Sequence, residues 1–334
     1  MTLKAGAIRF NTDPMQMEIY DGNQWTGILA TSPELQTGGG RGVFFSGAPS
    51  NNAAIDFINI STTGDAGDFG DLAGYRVQGA AAGSRTRGLY VGGEAPSIVN
   101  TIEFITFSSQ GTDAQDFGDM VTNQYRRMNG MGCGNQTRGL FSGGWTGSAT
   151  SNHIDYVTIA QTGNSVDFGD LSVNRESGSC CASQTRGIIH GGRNQPANAA
   201  LDSIDYVTIS TLGDAADFGN LTDGRFAMQS CSNSIRGITF AGKVPSNSTI
   251  VDFITMATLG DSTDFGDTIG AMEYPLGAVA SPTRAVCGGG IVSPSNINTI
   301  QYVEIMSAGN TIDFGDLTGA KSEASGCSNS HGGL

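Results

Sequence analysis

From residue 41 onward, apolar runs of about six residues alternate with stretches rich in glycine, asparagine and serine. Runs such as residues 102–107 and 204–209 combine β-branched and aromatic side chains, and turn residues bound them on both sides. This pattern predicts short strands. No apolar stretch keeps helical spacing over three turns, so the chain is predicted to be all-β.

Six copies of the tripeptide Asp-Phe-Gly divide this part of the chain into repeats. They begin at Asp68, Asp116, Asp167, Asp217, Asp264 and Asp313, at spacings of 48, 51, 50, 47 and 49 residues. A period near 50 residues is the length of a four-stranded propeller blade. The periodicity therefore predicts a ring of six repeats.

Other residues keep the same phase as Asp-Phe-Gly. An arginine followed by Gly or Ala opens an apolar run in every repeat, at Arg41, Arg87, Arg138, Arg186, Arg236 and Arg284. Each run ends in a glycine preceded by a small residue, which allows close backbone approach. We assign four strands to each repeat, from the centre outward: A with small residues, B after the arginine, C with the aromatic run, and D with Asp-Phe-Gly.

In this order the repeat resembles the kelch family, whose blades carry a diglycine after strand B, a Trp in strand D, and then Leu and Arg. Phenylalanine stands in place of that Trp, at Phe69, Phe117, Phe168, Phe218, Phe265 and Phe314. Arginine follows seven residues later in three repeats, at Arg76, Arg175 and Arg225. The absent Trp and the fifth repeat, with Thr268 and Met272, depart from the family. The resemblance implies a six-bladed kelch-like β-propeller over residues 41–334.

The two ends of the repeat region predict how the ring closes. Residue 41 opens directly on a B strand, whereas residues 322–330 repeat the small-residue A strand and lack a following B strand. We predict that this last segment supplies the missing A strand of the first repeat, which leaves no open inner edge.

Residues 1–40 form a separate segment. Residues 6–13 and 17–25 predict a β-hairpin of two strands, with turns at residues 11–14 and at Asp21-Gly22. Two strands cannot fold alone. We therefore expect the large side chains of the hairpin to dock on another chain, through Phe10, Ile19, Tyr20 and Trp25.

The hairpin, with Ile-Arg-Phe-Asn-Thr, Met-Glu-Ile-Tyr-Asp-Gly and Trp in order, resembles a segment of tail-fibre and other virion proteins of tailed bacteriophages, notably those of marine cyanobacteria. The resemblance implies an attachment or oligomerisation element that contacts other virion proteins and a protein present in several copies, as a homo-oligomer.

The charge and composition of the chain limit the classes of partner that it can bind. The net charge of -14 and a pI near 4.4 argue against nucleic-acid binding. No apolar run approaches the length of a membrane span, and the first residues lack the apolar region of an export signal. A virion protein assembled in the host cytoplasm needs neither a membrane span nor an export signal.

The chemistry-bearing residues favour structural roles. Four cysteines share one A-strand position, which predicts small buried side chains, at Cys133, Cys181, Cys231 and Cys327. Only three histidines occur, in different repeats, so neither a metal site nor a catalytic triad is predicted. The spacing of Asp214, Asp217 and Asn220 departs from known calcium loops, so calcium stays a minor alternative. The six arginines either bond to neighbouring carbonyls or aspartates, or hold a phosphate or carboxylate ligand.

These observations predict a virion protein without a catalytic site or cofactor that presents loops to the host surface or to other virion proteins. The B-to-C loops vary most and lie on one face, where binding specificity usually resides. Two alternatives stay open: a bacterial propeller that binds protein or glycan, and a glycan-active enzyme.

Overall fold

The computed structural model describes residues 4, 6–11, 16–27, 40–49, 53–94, 96–120 and 130–334. This part of the chain is all-β and contains no helix, as predicted. It separates into two compact units, Met1–Thr37 and Gly38–Leu334.

The first unit contains a three-stranded antiparallel sheet where two strands were expected. Its strands are β1 (Ile8–Asn11), β2 (Gln16–Tyr20) and β3 (Trp25–Gly27). The second predicted strand is divided because Asp21 Oδ1 accepts hydrogen bonds from the amides of Asn23 and Gln24, at 2.7 and 2.8 Å. This Asx-type turn reverses the chain after Tyr20 and starts a third strand.

The second unit is built on six antiparallel sheets, which we number 1 to 6 after the repeats. Sheet 1 contains β4 (Arg41–Phe44), β5 (Ala54–Asn59) and β6 (Gly67–Asp71). Sheet 2 contains β7 (Ala80–Gly83), β8 (Arg87–Val91), β9 (Thr101–Thr106) and β10 (Gln115–Asp119). Sheet 3 contains β11 (Gly132–Gly134), β12 (Arg138–Ser142), β13 (His153–Thr158) and β14 (Val166–Asp170).

The remaining sheets carry additional short strands. Sheet 4 contains β15 (Ser179–Ala182), β16 (Arg186–His190), β19 (Ser203–Thr208) and β20 (Ala216–Asn220), and its loop forms a hairpin of β17 (Arg193–Asn194) and β18 (Ala199–Ala200). Sheet 5 contains β21 (Gln229–Ser232), β22 (Arg236–Phe240), β23 (Lys243–Val244), β24 (Ser246–Thr255) and β25 (Thr263–Met272). Sheet 6 contains β26 (Gly277–Ala280), β27 (Arg284–Val292), β28 (Ser295–Glu304) and β29 (Ile312–Asp316).

The last strand of the chain belongs to sheet 1. Strand β30 (Gly326–Ser328) pairs antiparallel with β4, with Cys327 opposite Val43. The pairing predicted between residues 322–330 and the strand that begins at Arg41 is therefore present. Sheet 1 thereby gains the same four strands, in the same order, as the other sheets.

The inner strands lie side by side. In chain order β7, β11, β15, β21, β26 and β30 each contact the next, and β30 also contacts β7. Together they line a cavity of about 40 Å³. Its walls carry small residues at the repeated A-strand position, namely Ala82, Cys133, Cys181, Cys231, Val279 and Cys327. Small side chains are needed where so many strands converge.

Buried ion pairs join neighbouring sheets. Arg175, seven residues after Phe168, contacts Asp205 in strand C of the next sheet at 3.0 Å. Arg225 contacts Asp252 at 2.8 Å in the same way. The four described pairs are Arg76 with Glu103, Arg175 with Asp205, Arg225 with Asp252, and Lys321 with Asp56. Since Lys321 follows sheet 6 and Asp56 lies in sheet 1, the last pair joins the two ends of the repeat array.

The fifth repeat replaces both charges together. Met272 stands where the cation is expected, and the opposing position in sheet 6 holds Gln301 instead of a carboxylate. The Gln301 amide lies 3.7 Å from Met272 Sδ, and its oxygen accepts hydrogen bonds from Thr311 and Ile269. The departure of this repeat from the other five thus corresponds to a neutral version of the same contact.

This neutral pair provides a stability test. We expect Arg225→Met to lower the free energy of unfolding by about 3–5 kcal/mol, because it leaves Asp252 buried without its partner. The double variant Arg225→Met/Asp252→Gln, which copies Met272 and Gln301, should recover most of that loss. Urea denaturation measures both. A double variant as unstable as the single one would contradict the pairing.

Candidate functional site

The six repeated arginines join each sheet to the next. Each guanidinium donates to a backbone carbonyl directly after strand C of the following sheet, at distances between 2.5 and 3.3 Å. In the order of the arginines, the acceptors are Phe107, Ile159, Ile209, Met256 with Ala257, Ile305, and Ile60 with Ser61. Hydrogen bonding to neighbouring carbonyls, one of the two predicted roles, is present in all six repeats.

The same guanidiniums stack on aromatic rings of strand C in their own sheet. Arg138, for example, lies 4.7 Å from the ring centre of Tyr156, which meets Phe168 edge-on at 6.0 Å. All six repeats share this arrangement, over Phe57, Phe104, Tyr156, Tyr206, Phe253 and Tyr302. Stacking of this kind adds favourable electrostatic contact to the buried apolar area.

The phenylalanines of Asp-Phe-Gly pack against the same strand C rings that the arginines contact. All six are buried, with at most 3% of their surface exposed. Each meets the strand C ring of its own sheet edge-on, with centroids 5.8 to 6.2 Å apart. These phenylalanines are therefore buried core residues of the sheets.

In five repeats the arginine is followed by a glycine, which leaves room for the inner strand of the preceding sheet, and in the sixth repeat it is followed by Ala285. A Cβ atom at Gly88 would lie 2.9 Å from Cys327 Sγ, and one at Gly237 would lie 2.8 Å from Cys181 Sγ. All six cysteines are free and buried. Burial raises the pKa of the Cys181, Cys231 and Cys327 thiols. These cysteines fill space between sheets and are poor nucleophiles.

The acidic turns form outer contacts between sheets. The amide of Asp170 donates to Asp214 Oδ1 at 3.0 Å, and the amide of Asn220 donates to Asp261 Oδ1 at 2.9 Å. Asp214 and Asn220 thus serve two different sheet boundaries. Five of these six contacts join consecutive sheets, and the sixth joins Asp316 of sheet 6 to Asp65 of sheet 1.

The three histidines lie in unrelated surroundings. His190 is buried, with Nδ1 2.9 Å from Thr239 Oγ1 and Nε2 3.4 Å from Cys181 Sγ. His331 donates to the carbonyl of Gly83 at 2.8 Å. His153 lies 3.2 Å from Asp170. The contact between His190 and Cys181 was not predicted, and the only signal for it is a polar residue at the end of an apolar B run.

The N-terminal sheet places its large side chains on two faces. Trp25 packs against Tyr20, with centroids 5.4 Å apart, and under the Arg9 guanidinium at 4.2 Å. Arg9 also pairs with Glu18. Ile19 alternates with Tyr20 along β2 and is 37% exposed. The side chain of Phe10 lies outside the described residues. Tyr20 and Trp25 therefore stay together, whereas Ile19 faces the other way.

Loops between strands B and C support one another. Thr150 Oγ1 of the sheet 3 loop donates to the Gln195 carbonyl of the sheet 4 loop at 3.2 Å. Asn247 reaches the carbonyl of Ile291 at 3.0 Å, and Asn296 reaches that of Ala48 at 3.1 Å. These contacts connect the B-to-C segments of sheets 3 and 4, 5 and 6, and 6 and 1, and in sheets 5 and 6 the contacting residues lie in the strand ends beside the turn. The pattern of turn residues did not predict this bracing, because each partner lies in another repeat.

The chain matches no protein-family model and no curated protein. Within the described residues, no helix is present that could cross a membrane. Function is therefore inferred from the residues themselves. The repeated side chains are engaged in contacts between sheets, and the loop face carries the side chains that differ from repeat to repeat.

The buried side chain of His190 makes the stability of the folded protein depend on pH. Burial, together with Arg225 and Arg175, lowers the pKa of His190 to about 3. The unfolded chain takes up this proton near pH 6.5, so stability is fully present above that pH and is lost as the pH falls toward 3. Between pH 6.5 and pH 5 we expect His190 to account for a loss of about 2 kcal/mol, at about 1.4 kcal/mol per pH unit.

Chemical denaturation of the native chain and of His190→Asn at both pH values measures this loss. His331 titrates in both proteins, so the difference between them isolates His190. Equal pH slopes in the two proteins would contradict a buried neutral imidazole.

Proposed function

We propose that the chain is a structural protein of a bacteriophage virion, in which a six-bladed kelch-like propeller presents a rigid loop face and the N-terminal sheet attaches it to the particle. The protein binds and does not catalyse. Its partners are other virion proteins and a host surface receptor or glycan, and several copies act together.

Contacts between sheets 6 and 1 support ring closure. The Arg284 guanidinium donates to Ile60 and Ser61 across this boundary, as its five counterparts do across theirs. Lys321 pairs with Asp56, and β30 pairs with β4. Every kind of contact between consecutive sheets thus recurs between the last and the first. Closure leaves no inner edge for aggregation.

The bracing of the B-to-C loops is the observation that carries the binding function. A loop held by a neighbouring loop loses little conformational entropy when a partner binds, so affinity can come from a fixed shape. Binding residues are often found on loops that a rigid scaffold positions. The repeated Arg, Phe and Gly residues build that scaffold, and the loops remain for recognition.

The N-terminal sheet supports attachment through another chain. Ile8 and Ile19, which are register partners on β1 and β2, are 59% and 37% exposed. An exposed apolar pair on a three-stranded sheet favours contact with a second surface. Together with the phage-like segment, this favours a virion protein over a free bacterial binding propeller.

Truncation of the chain tests the role of the N-terminal sheet separately from the stability of the repeat region. Removing residues 1–35 should leave a soluble protein with an unchanged melting temperature, because the contacts of sheets 1 to 6 lie from Gly40 onward. The truncated protein should be monomeric by light scattering and absent from purified phage particles. The full-length variant Ile8→Ser/Ile19→Ser should show the same loss of assembly, with Thr26→Ser as its control.

Normal incorporation of the truncated chain into particles would contradict the attachment role. A large drop in its melting temperature would instead assign residues 1–35 to the core of the repeat region.

A further inference from the structure

Five residues at one repeated position adopt a left-handed backbone without being glycine. They precede strand A, and their φ angles lie between 49° and 59°. We call them the mouth ring, because each precedes an inner strand that lines the cavity, at the strand end opposite the one that His331 contacts through Gly83: Gln78, Ser177, Ala227, Tyr274 and Glu323. The equivalent residue of the third repeat falls within 121–129, outside the described residues.

Backbone hydrogen bonds connect the mouth ring. The amide of Ala227 donates to Ser177, that of Tyr274 to Ala227, that of Glu323 to Tyr274, and that of Gln78 to Glu323, at 2.6 to 3.3 Å. Each bond joins one sheet to the next. The ring is thus a fixed frame that holds five side chains around one axis.

Glycine is absent from this frame, although the chain uses it at other left-handed positions. The exit of strand B has Gly92, Gly143, Gly191 and Gly289 in four repeats, with φ between 45° and 64°. An L-residue in this conformation costs roughly 1–2 kcal/mol. Five such residues at one level of the fold indicate that their side chains are kept at the expense of stability, as strained residues at binding sites are.

Unlike the structural repeat positions, the mouth ring carries a different side chain in each sheet. Gln78 donates its amide to Glu323 at 2.8 Å, and the Tyr274 phenol lies near Glu323 and Ser177. Gln78, Tyr274 and Glu323 are half-buried, so each reaches solvent. An amide, a phenol and a carboxylate therefore meet at the centre of the loop face.

A second group borders this cluster. Arg193, which lies close enough to Tyr274 to influence its pKa, pairs with Glu176 at 2.9 Å and lies 4.8 Å over the ring of Phe226. Since Glu176 already neutralises Arg193, and Glu323 adds a negative charge, the described cluster has no surplus positive charge for a phosphate or a carboxylate. The available chemistry is hydrogen bonding beside aromatic rings.

We propose that the mouth ring, together with the adjacent Arg193, binds an uncharged sugar of a glycan, with Tyr274 against its C–H face and Gln78, Glu323 and Arg193 on its hydroxyls. Few polar groups placed around aromatic surface are the usual composition of a small-molecule site. The proposal rests on the proposed function and identifies the receptor class of the same loop face.

Glycine substitution tests the proposal, because it removes the side chain and relieves the backbone. The probes are the methyl glycosides of glucose, galactose, mannose, N-acetylglucosamine, rhamnose and fucose, observed by saturation-transfer NMR with the full chain. We expect saturable binding of at least one glycoside. Tyr274→Gly should weaken it at least tenfold, with a melting temperature equal to or above that of the native chain.

The matched control is Ala241→Gly, at a left-handed position outside the cluster where four other repeats have glycine. It should keep the glycoside affinity within twofold. A conservative variant, Tyr274→Phe, should lose less affinity than Tyr274→Gly, because the ring remains. Glu323→Gln should weaken binding without lowering the melting temperature.

Two outcomes overturn the proposal: no saturable binding of any probe, or an affinity for Tyr274→Gly within twofold of the native value. Adsorption of labelled protein to host cells separates this failure from that of the proposed function. Adsorption that survives Tyr274→Gly would retain the receptor role and move it away from the mouth ring. Absence of adsorption by the native chain would count against the receptor role itself.

Discussion

The contact between neighbouring sheets is the constraint on which the rest of the structure depends. A single four-stranded sheet of this length buries only part of its apolar surface, so each repeat needs the next one for stability. Three kinds of polar contact hold the sheets in place: the arginine to the carbonyl after strand C, the buried ion pair, and the outer aspartate or asparagine to a strand D amide. Between them lies the aromatic packing that supplies the apolar burial.

The need for contact between neighbouring sheets explains which parts of the fold can be predicted from the sequence. Strand order, buried phenylalanines and the pairing of β30 with β4 follow from a local pattern repeated in phase. The ion pairs do not, because Arg175 and Asp205 are separated by 30 residues and meet only across a boundary between sheets. In the fifth repeat, Gln301 lies opposite Met272, so neutral side chains replace both members of the ion pair. The sequence of one strand alone does not reveal this joint replacement.

The candidate site is less predictable for the same reason. That the loops occupy one face follows from the strand order, but their mutual support depends on contacts such as Asn247 with Ile291. The mouth ring cannot be predicted from the sequence repeats, because its members share a backbone conformation but no side-chain type. In the N-terminal sheet the turn predicted at Asp21-Gly22 is present and is stabilised by the Asp21 side chain, but the third strand that follows it was not predicted.

Hydrogen exchange at the closing strand tests the central claim most directly. If sheets 6 and 1 form a boundary like the other five, the amides of β30 and of Asn329 open only with the whole repeat region. Their free energies of opening should then equal those of the inner strand β15 (Ser179–Ala182) under native conditions. Much faster exchange in β30 than in β15 would show a fraying end and contradict a closed ring.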